Sequence, residues 1–247
     1  MLKVKDLKIS SKNFSLVDGI DFEIAQNEVV SIIGESGSGK SLTATAIMGL
    51  LPDNLNKSGE ILFNGKNLMA LSEREISKIR LKDIAMIYQN PFNALVPVMT
   101  IEKQLEYIFK IQKSKVNWIR IKELMNEVDL PEDYLKKYPF ELSGGELQRI
   151  VILMSMLLRP ELLICDEPTT ALDSETGLRI ISLIQRLKTE YEISVLFISH
   201  DLTLAKIIAD RVLIMKKGKI IEEGRASKVY EYPKEEYTRD LLNAARF

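Results

Sequence analysis

The stretch that decides the fold is Gly34-Glu35-Ser36-Gly37-Ser38-Gly39-Lys40-Ser41. It follows the apolar run 29–33 and precedes the run 42–51, so the sequence predicts a strand, a glycine-rich turn and a helix in that order. Such a turn directs backbone N–H groups and a helix start at an anion. In the spacing G-x-x-x-x-G-K-S, Lys40 would reach phosphates and the Ser41 hydroxyl would bind magnesium. A flexible turn that merely opens a helix is the alternative.

The composition is that of a compact globular protein. The chain has 247 residues, of which 46% are hydrophobic and 28% charged, and these values argue against disorder and against a membrane-embedded body. Lys and Arg number 34 and Asp and Glu 35, so the net charge of −1 provides no basic field for nucleic acid. One cysteine and one histidine exclude an intrachain disulfide and disfavour a zinc or nickel cage within the chain.

Nothing in the hydropathy pattern predicts export or a membrane span. The N-terminal residues alternate in charge and apolarity, without the apolar block of a signal peptide. The longest apolar stretch, residues 150–158, is far shorter than the roughly 20 residues that cross a bilayer. We therefore expect a partner protein to provide any contact with a membrane.

The periodicity along the chain predicts an α/β fold. Short apolar runs at 29–33, 162–165 and 195–198 are typical of buried parallel strands with helices between them. Alternating stretches at 16–24 and 58–65 predict an antiparallel layer joined to the parallel sheet. Two further patterns are a helical one over 101–135, which predicts a subdomain inserted into the α/β core, and a hairpin at 212–221.

Two carboxylates, Asp166 and Glu167, follow the apolar run 162–165. A nucleotide-hydrolysing sheet has a magnesium-side aspartate and a base for water at such a strand end. Asp166 would hold the metal, and Glu167, directed by strand alternation to the other side, would polarise the attacking water. An acidic pair alone is more often a solvated edge or a helix cap. The phosphate loop in the same chain favours the catalytic interpretation.

A second candidate anion site is Ser143-Gly144-Gly145-Glu146, immediately before a strongly apolar helix. A helix N-terminus with exposed backbone donors binds anions. Because the chain already has a phosphate loop, this segment suggests a contact with the γ-phosphate of a nucleotide held mainly by another copy of the fold. An ordinary Ser-Gly helix cap explains the same residues equally well.

In combination, these motifs resemble the nucleotide-binding subunits of ABC transporters over essentially the whole chain. The family order of motifs is matched by residues 34–41, Gln89, Ser143 to Glu146, Asp166 with Glu167, Asp173 and His200. The resemblance implies one ABC ATPase domain with a phosphate-loop, RecA-like core and an N-terminal antiparallel layer. Its parts would be an α/β core at 1–89 and 146–230, a helical subdomain at 90–145 and a short tail at 231–247.

The resemblance also assigns roles at the site, with ATP and Mg²⁺ as the ligands. Catalysis would fall to Glu167, His200 and Gln89, with His200 at the γ-phosphate. Ser41, Gln89 and Asp166 would hold magnesium, and residues 34–41, 143–146 and Asp173 would bind nucleotide across two composite sites. Glu146 stands where the family most often has glutamine. For the adenine, Phe14, near Ser10 and Ser11, is the candidate stacking residue.

Three stretches, at 88–100, 138–145 and 166–173, resemble the dipeptide, oligopeptide and nickel importers within that family. Ser41-Leu42-Thr43 is similar to the first of the two different ATPase subunits of such importers. This implies a non-identical second ATPase subunit in a head-to-tail dimer, transmembrane permease subunits, an extracytoplasmic solute-binding protein acting indirectly, and a position at the cytoplasmic face of the membrane. Nucleic acid is not an expected partner.

The cargo is open among nickel, a metal–metallophore complex and peptides. Residues 232–242 resemble the start of a subfamily tail that is often longer in peptide importers, and this favours nickel or a metallophore. Import of dipeptides or oligopeptides is the alternative. A soluble ABC ATPase of translation or DNA repair and a non-hydrolysing regulatory module are two further readings.

Overall fold

A computed structural model describes residues 1–12 and 14–244 of the protein. The strands are β1 (Leu2–Ser10), β2 (Ser15–Ile24), β3 (Val29–Ile33), β4 (Asn56–Phe63), β5 (Lys66–Asn67), β6 (Ile84–Ile87), β7 (Leu162–Asp166), β8 (Ser194–Ser199), β9 (Arg211–Lys216) and β10 (Lys219–Arg225). The α-helices are α1 (Lys40–Ile47), α2 (Glu73–Arg80), α3 (Ile101–Ile111), α4 (Trp118–Glu127), α5 (Gly144–Leu157), α6 (Ser174–Tyr191), α7 (Leu202–Ile208), α8 (Ala226–Glu231) and α9 (Glu236–Ala244).

A mostly parallel sheet forms the centre, with the strand order β10-β9-β3-β8-β7-β6. The strands from β9 to β6 are parallel, and β10 pairs antiparallel with β9 as a hairpin. Every residue of β3, β7 and β8 is buried, because both faces of these strands are covered. The apolar runs and the hairpin predicted from the sequence are confirmed.

The antiparallel layer is a second sheet, ordered β2-β1-β4-β5. Its apolar side chains, those of α1 and alternate residues of the central strands form one core, to which Ile32 contributes. Its neighbour Ile33 belongs to the opposite core, with the apolar faces of α5 and α6. The backbone N–H of Asp18 in β2 donates to the carbonyl of Gly218 in the β9–β10 turn (2.9 Å), which joins the layer to the large sheet.

The first helix is shorter than its sequence pattern. The apolar run 42–51 predicts a helix to Leu51, but α1 ends at Ile47. Gly49 comes next but one with a φ of +65°, a conformation that ends helices, and Leu50 is exposed. The apolar run extends beyond the end of the helix, and its last residue, Leu51, packs against the core without being part of α1.

The helical pattern between β6 and β7 is confirmed by α3 and α4. The division of the chain at residues 90 and 145 stays a prediction. Its second boundary falls inside α5, which begins at Gly144. Residues 245–247 of the expected tail, and Asn13 in the N-terminal region, lie outside the described residues. Across residues 1–12 and 14–244, the helices are all too short or too polar to cross a bilayer.

Candidate active site

The glycine-rich segment connects the carboxyl end of β3 to the start of α1. Gly39 precedes the helix with a φ of +108°, and a Cβ atom there would lie 2.9 Å from the Leu16 carbonyl oxygen. Only glycine fits this position without strain. The parallel strand, the turn and the helix start therefore produce the geometry that places backbone N–H groups around a phosphate.

Lys40 folds back over this segment. Its side chain is buried, and its Nζ donates to the carbonyl oxygens of Gly34 (2.8 Å) and Glu35 (2.9 Å). Burial lowers the pKa of Lys40, an effect opposed by the charges of Glu167, Asp166 and Glu35. The ammonium group is held within the loop and can exchange carbonyl oxygens for those of a phosphate.

Ser41 and Asp166 meet although they lie on different elements. The Ser41 hydroxyl in the first turn of α1 donates to Asp166 Oδ1 at the end of β7 (2.9 Å). Burial raises the pKa of Asp166, partly offset by the Ser41 hydrogen bond, and the Glu167 charge raises it further. A hydroxyl and a carboxylate in contact beside a phosphate loop are the donor set that Mg²⁺ takes in nucleotide sites.

Three side chains from different parts of the chain meet at the carboxylate of Glu167. Its Oε2 accepts from Gln89 Nε2 (3.1 Å) and from the Thr170 hydroxyl (3.0 Å), and it lies 3.1 Å from His200 Nδ1. Gln89 lies just beyond β6, Glu167 just beyond β7 and His200 just beyond β8, so the carboxyl ends of neighbouring parallel strands bring the three together.

The backbone at Glu167 differs from the strand alternation expected from the sequence. β7 ends at Asp166, and Glu167 has a φ of +49°, so a turn rather than the pleat directs its side chain. Glu167 is one of nine non-glycine residues with a positive φ in the described part of the chain, so the conformation marks a tight turn, and the side chains that meet at Glu167 are what indicate a site. Thr170, which the sequence reasoning missed, belongs to the same turn, and its spacing of three residues from Glu167 is the available signal.

The segment at 143–146 caps α5. The Ser143 hydroxyl accepts from the Glu146 N–H (3.4 Å), and Glu146 Oε2 accepts from the Ser143 N–H and hydroxyl (both 2.7 Å). The Tyr134 hydroxyl donates to Glu146 Oε1 (2.5 Å), and this bond is the main cause that lowers the pKa of Glu146. The carboxylate of Glu146, which stands where the family most often has glutamine, thus accepts three hydrogen bonds.

Asp173 lies beside this segment. It caps α6, where its carboxylate accepts from the Thr176 N–H (2.9 Å) and hydroxyl (2.7 Å), bonds that lower its pKa. A Cβ at Gly145 would lie 2.7 Å from Thr176 Cγ2, so the two helix starts pack closely. Within the described residues, no hydrogen bond or ion pair connects residues 143–146 to residues 34–41.

Of two aromatic residues outside the loop, Phe14 and Tyr237, the structure shows one, Tyr237, in contact with it. Phe14 is 71% exposed next to the segment that leads into β2, so its ring is accessible to a ligand, and its role at adenine stays a prediction. Tyr237 in α9 contacts the loop through its hydroxyl, which accepts from the Glu35 N–H (3.3 Å). Tyr237 belongs to none of the motifs, and no pattern around it in the sequence indicates this long-range contact.

The sequence pattern of a known family matches residues 17–170, a span that includes the loop, Gln89 and the Asp166–Glu167 pair; the family is described as ABC transporter. The chain belongs to the ABC transporter family. This confirms the fold and the ATPase class expected from the motifs, and it makes ATP the nucleotide of the site.

Relatives with curated names match the full length of this ABC protein. It is 44% identical to the peptidoglycan transport ATP-binding protein YejF of Agrobacterium fabrum, covering 99% of this chain and 47% of that protein. Identity is 41% to the oligopeptide transport ATP-binding protein OppD of Bacillus subtilis (98% and 71% covered) and 40% to the metal-staphylopine import ATP-binding protein CntD of Staphylococcus aureus (100% and 93%).

Solved ABC cassettes share the fold of this ABC protein. The dimeric, post-hydrolysis structure of the ATP-binding cassette MJ0796 with ADP and Pi superposes with a TM-score of 0.81 at 27% identity, covering 92% of this chain and 99% of that one. The chain spans about half of YejF but nearly all of CntD and of the MJ0796 cassette. The phosphate loop and the strand-end residues thus lie in a cassette shared by all these proteins.

Proposed function

We propose that the protein is the ATP-hydrolysing subunit of an ABC importer that carries nickel, a metal–metallophore complex or peptides. The observation that supports hydrolysis is the convergence of Gln89, Thr170 and His200 on one oxygen of Glu167. Three groups fix the orientation of a single carboxylate next to a phosphate loop, as a general base for water requires. A module that only binds nucleotide needs no such arrangement.

Each part of the site has a separate task. Residues 34–41 hold the phosphates of ATP, with Lys40 balancing their charge. Glu167 accepts a proton from the attacking water, and His200 contacts the γ-phosphate. Ser41 and Asp166, which are in contact, would hold Mg²⁺ together with Gln89, and the ion would supply electrostatic stabilisation of the transferred phosphoryl group.

The second half of each site would come from another cassette. Residues 143–146 and Asp173 lie side by side at the starts of α5 and α6, apart from the chain's own loop, as a composite site in a head-to-tail dimer requires. Ser143 and the N–H groups of the α5 start would close on the γ-phosphate held by the partner. The partner is a related, non-identical ATPase subunit, and hydrolysis separates the two.

Permease subunits would dock in an apolar groove between the α/β core and the helical segment. Its lining includes Met86, Tyr88, Ile108, Ile111 and Met154. Tyr88 adjoins Gln89, so a helix of the permease in this groove would sense the state of the site directly. The position at the cytoplasmic membrane face and the indirect action of a solute-binding protein would result from this assembly.

The cargo proposal draws on the named relatives. OppD of Bacillus subtilis is an oligopeptide transport protein, and CntD of Staphylococcus aureus belongs to a metal-staphylopine import system. Their identities to this chain, 41% and 40%, do not separate the two cargo classes, although CntD matches it over more of its own length. Peptide import is therefore the direct alternative to import of nickel or a metallophore complex.

Hydrolysis is tested by Glu167→Gln, with Glu190→Gln, an exposed site at the end of α6, as the matched control. We expect the variant to bind ATP as the wild type does and to lose turnover by at least about 100-fold, because a general base contributes this much or more. Phosphate release and binding of a fluorescent ATP analogue are the measurements. Undiminished turnover in Glu167→Gln would falsify the assigned base.

The same variants test the cargo in source cells. We expect Glu167→Gln, but not Glu190→Gln, to abolish uptake of radiolabelled nickel, given free or with a metallophore. Loss of labelled dipeptide uptake alone would establish the peptide alternative. If neither uptake changes while turnover is lost in vitro, the importer assignment for these cargoes is wrong.

A further inference from the structure

The C-terminal part of the chain holds the phosphate loop from outside at two points. The Glu35 N–H donates to the Tyr237 hydroxyl (3.3 Å) although the two residues are 202 positions apart. The Gly218 N–H, in the β9–β10 turn, donates to the Ser38 carbonyl oxygen (2.9 Å). Neither contact belongs to the phosphate-loop motif itself.

Tyr237 is fixed in place by its own surroundings. Its ring and Leu241 are partly buried against the main core, and Leu242, one position further, is buried in it. Lys216 Nζ, at the end of β9, lies 4.3 Å from the centre of the Tyr237 ring, a cation–π contact. The hydroxyl is therefore presented to Glu35 by a ring with little freedom to move.

A buried carboxylate fixes the start of α9. Glu222 in β10 is 8% exposed, and its Oε1 and Oε2 accept from the N–H groups of Lys234 (2.9 Å) and Glu235 (3.2 Å). Burial favours a higher pKa for Glu222, but these donors hold it below the usual value, so the carboxylate is ionised at neutral pH. Tyr237 lies two residues after Glu235, so fixing the start of α9 also fixes the position of Tyr237.

The contact at Glu35 acts on a peptide group that Lys40 also holds. Gly34 O, which accepts from Lys40 Nζ (2.8 Å), and the Glu35 N–H, which donates to Tyr237, belong to the same peptide plane. Tyr237 and Lys40 thus secure opposite edges of the first peptide of the loop. When Lys40 turns to a phosphate, the Tyr237 hydroxyl remains on that peptide.

We infer that Tyr237 is a positioning residue of the nucleotide site, that it orients the Gly34–Glu35 peptide for phosphate binding, and that Glu222 acts through it by anchoring α9. The inference rests on the proposed function in that the loop must bind ATP. It deepens that function by assigning a part of the site to the C-terminal helix. The contact affects how the loop binds the phosphates. The proton transfer proposed for Glu167 does not depend on it.

Tyr237→Phe removes the hydroxyl and keeps the ring. We expect the KM for ATP and the dissociation constant of a fluorescent ATP analogue to rise about three- to tenfold, because a Gly34–Glu35 peptide that is no longer oriented beforehand must be ordered when the phosphates bind. We expect kcat and the melting temperature without nucleotide to stay near the wild-type values. Tyr232→Phe is the matched control, because Tyr232 is 76% exposed and close in sequence.

Glu222→Gln tests the anchoring. Glutamine replaces one of the two acceptor oxygens of Glu222 with an NH2 group that can only donate, so the N–H of Lys234 or of Glu235 loses its acceptor. We expect a rise in KM of the same kind as in Tyr237→Phe, and a double variant whose KM does not exceed that of the more impaired single variant, as for two residues that act in one chain of contacts.

The outcomes separate the inference from the proposed function. A wild-type chain that binds the analogue but releases no phosphate contradicts the proposed hydrolysis, while the binding constants still test Tyr237. An active wild type with an unchanged KM in Tyr237→Phe overturns the inference alone. A fall in kcat and melting temperature without a change in KM also overturns it, because that is the signature of a merely structural residue.

Discussion

At the scale of single residues, Glu167 combines an unfavourable backbone with a favourable set of donors. A left-handed conformation costs an L-residue roughly 1–2 kcal/mol, and Glu167 has a φ of +49°. The side chains of Gln89, Thr170 and His200 hold its carboxylate in return. The strain therefore lies at the residue proposed as the base, where it directs the carboxylate out of the line of β7.

Backbone geometry at the loop leads to a prediction for two glycines. Gly37 (φ +78°) and Gly39 (φ +108°) are both left-handed, but a Cβ meets no atom within 4 Å at Gly37, whereas at Gly39 it would lie 2.7 Å from Met215 Cε. We expect Gly37→Ala to lower the free energy of unfolding by roughly 1–2 kcal/mol from strain alone, and Gly39→Ala to lower it further. Urea unfolding without nucleotide measures both, and equal losses would contradict this reading of the close contacts.

At the scale of elements, the start of α5 depends on a neighbouring turn. Glu146 is both the acceptor of the α5 cap and the acceptor for Tyr134, and the hydrogen bond from Tyr134 is the main reason that its pKa is lowered. A carboxylate whose pKa is lower in the folded state stabilises the protein above its unfolded pKa of about 4.5. This stabilisation is lost as the pH falls through the lower, folded value.

Tyr134→Phe should remove most of that pH-dependent stability. We expect a loss of about 1 kcal/mol at pH 7, the usual net value of one hydrogen bond, and little difference from the wild type once Glu146 is protonated. The free energy of unfolding, measured between pH 7 and pH 3, should therefore fall less steeply in the variant. Tyr107→Phe, at an exposed site on α3, is the control and should reproduce the wild-type curve.

The elements that could be predicted are those determined by local pattern. The strands β3, β7 and β8 are apolar runs buried on both faces, and the loop motif determined the turn and the helix start after β3. The end of α1 was predicted too late because Leu50 and Leu51 extend the apolar run, while the left-handed Gly49 ends the helix.

Parts of the site that depend on distant contacts were not predictable. Thr170 was missed because its role arises from the turn at Glu167, whose backbone departs from strand geometry. Tyr237 was missed because its partner, Glu35, is 202 residues away and the contact is made through a hydroxyl and a backbone N–H. Periodicity and motif spacing carry no information on such pairs.

At the scale of the whole molecule, the apolar groove includes Tyr88, the residue that precedes Gln89 in sequence. It lies between β6 and the α3 and α5 helices, so its shape depends on how the α/β core and the helical segment are arranged. An apolar groove of this kind is stabilised when another apolar surface covers it. Movement of the covering element would reach Tyr88, Gln89 and then Glu167.

A charge in the groove should prevent the proposed docking of permease subunits without harming ATP turnover. Ile111 is 40% exposed in the lining, and Ile119 on α4 is 73% exposed outside it. We expect Ile111→Glu to keep the ATP turnover of the isolated chain and to lose co-purification with the permease subunits, while Ile119→Glu keeps both. Retention of the complex by Ile111→Glu would place the docking surface elsewhere.

Cys165 is the chain's single cysteine, and it is wholly buried in β7 directly before Asp166. Burial raises the pKa of its thiol, so the reactive thiolate is scarce and shielded from solvent at neutral pH. Thiol-reactive spin labels and fluorophores should therefore not react with the native protein. A pair of cysteines added at exposed sites on the core and on α4 could report distances with and without ATP while Cys165 is left intact.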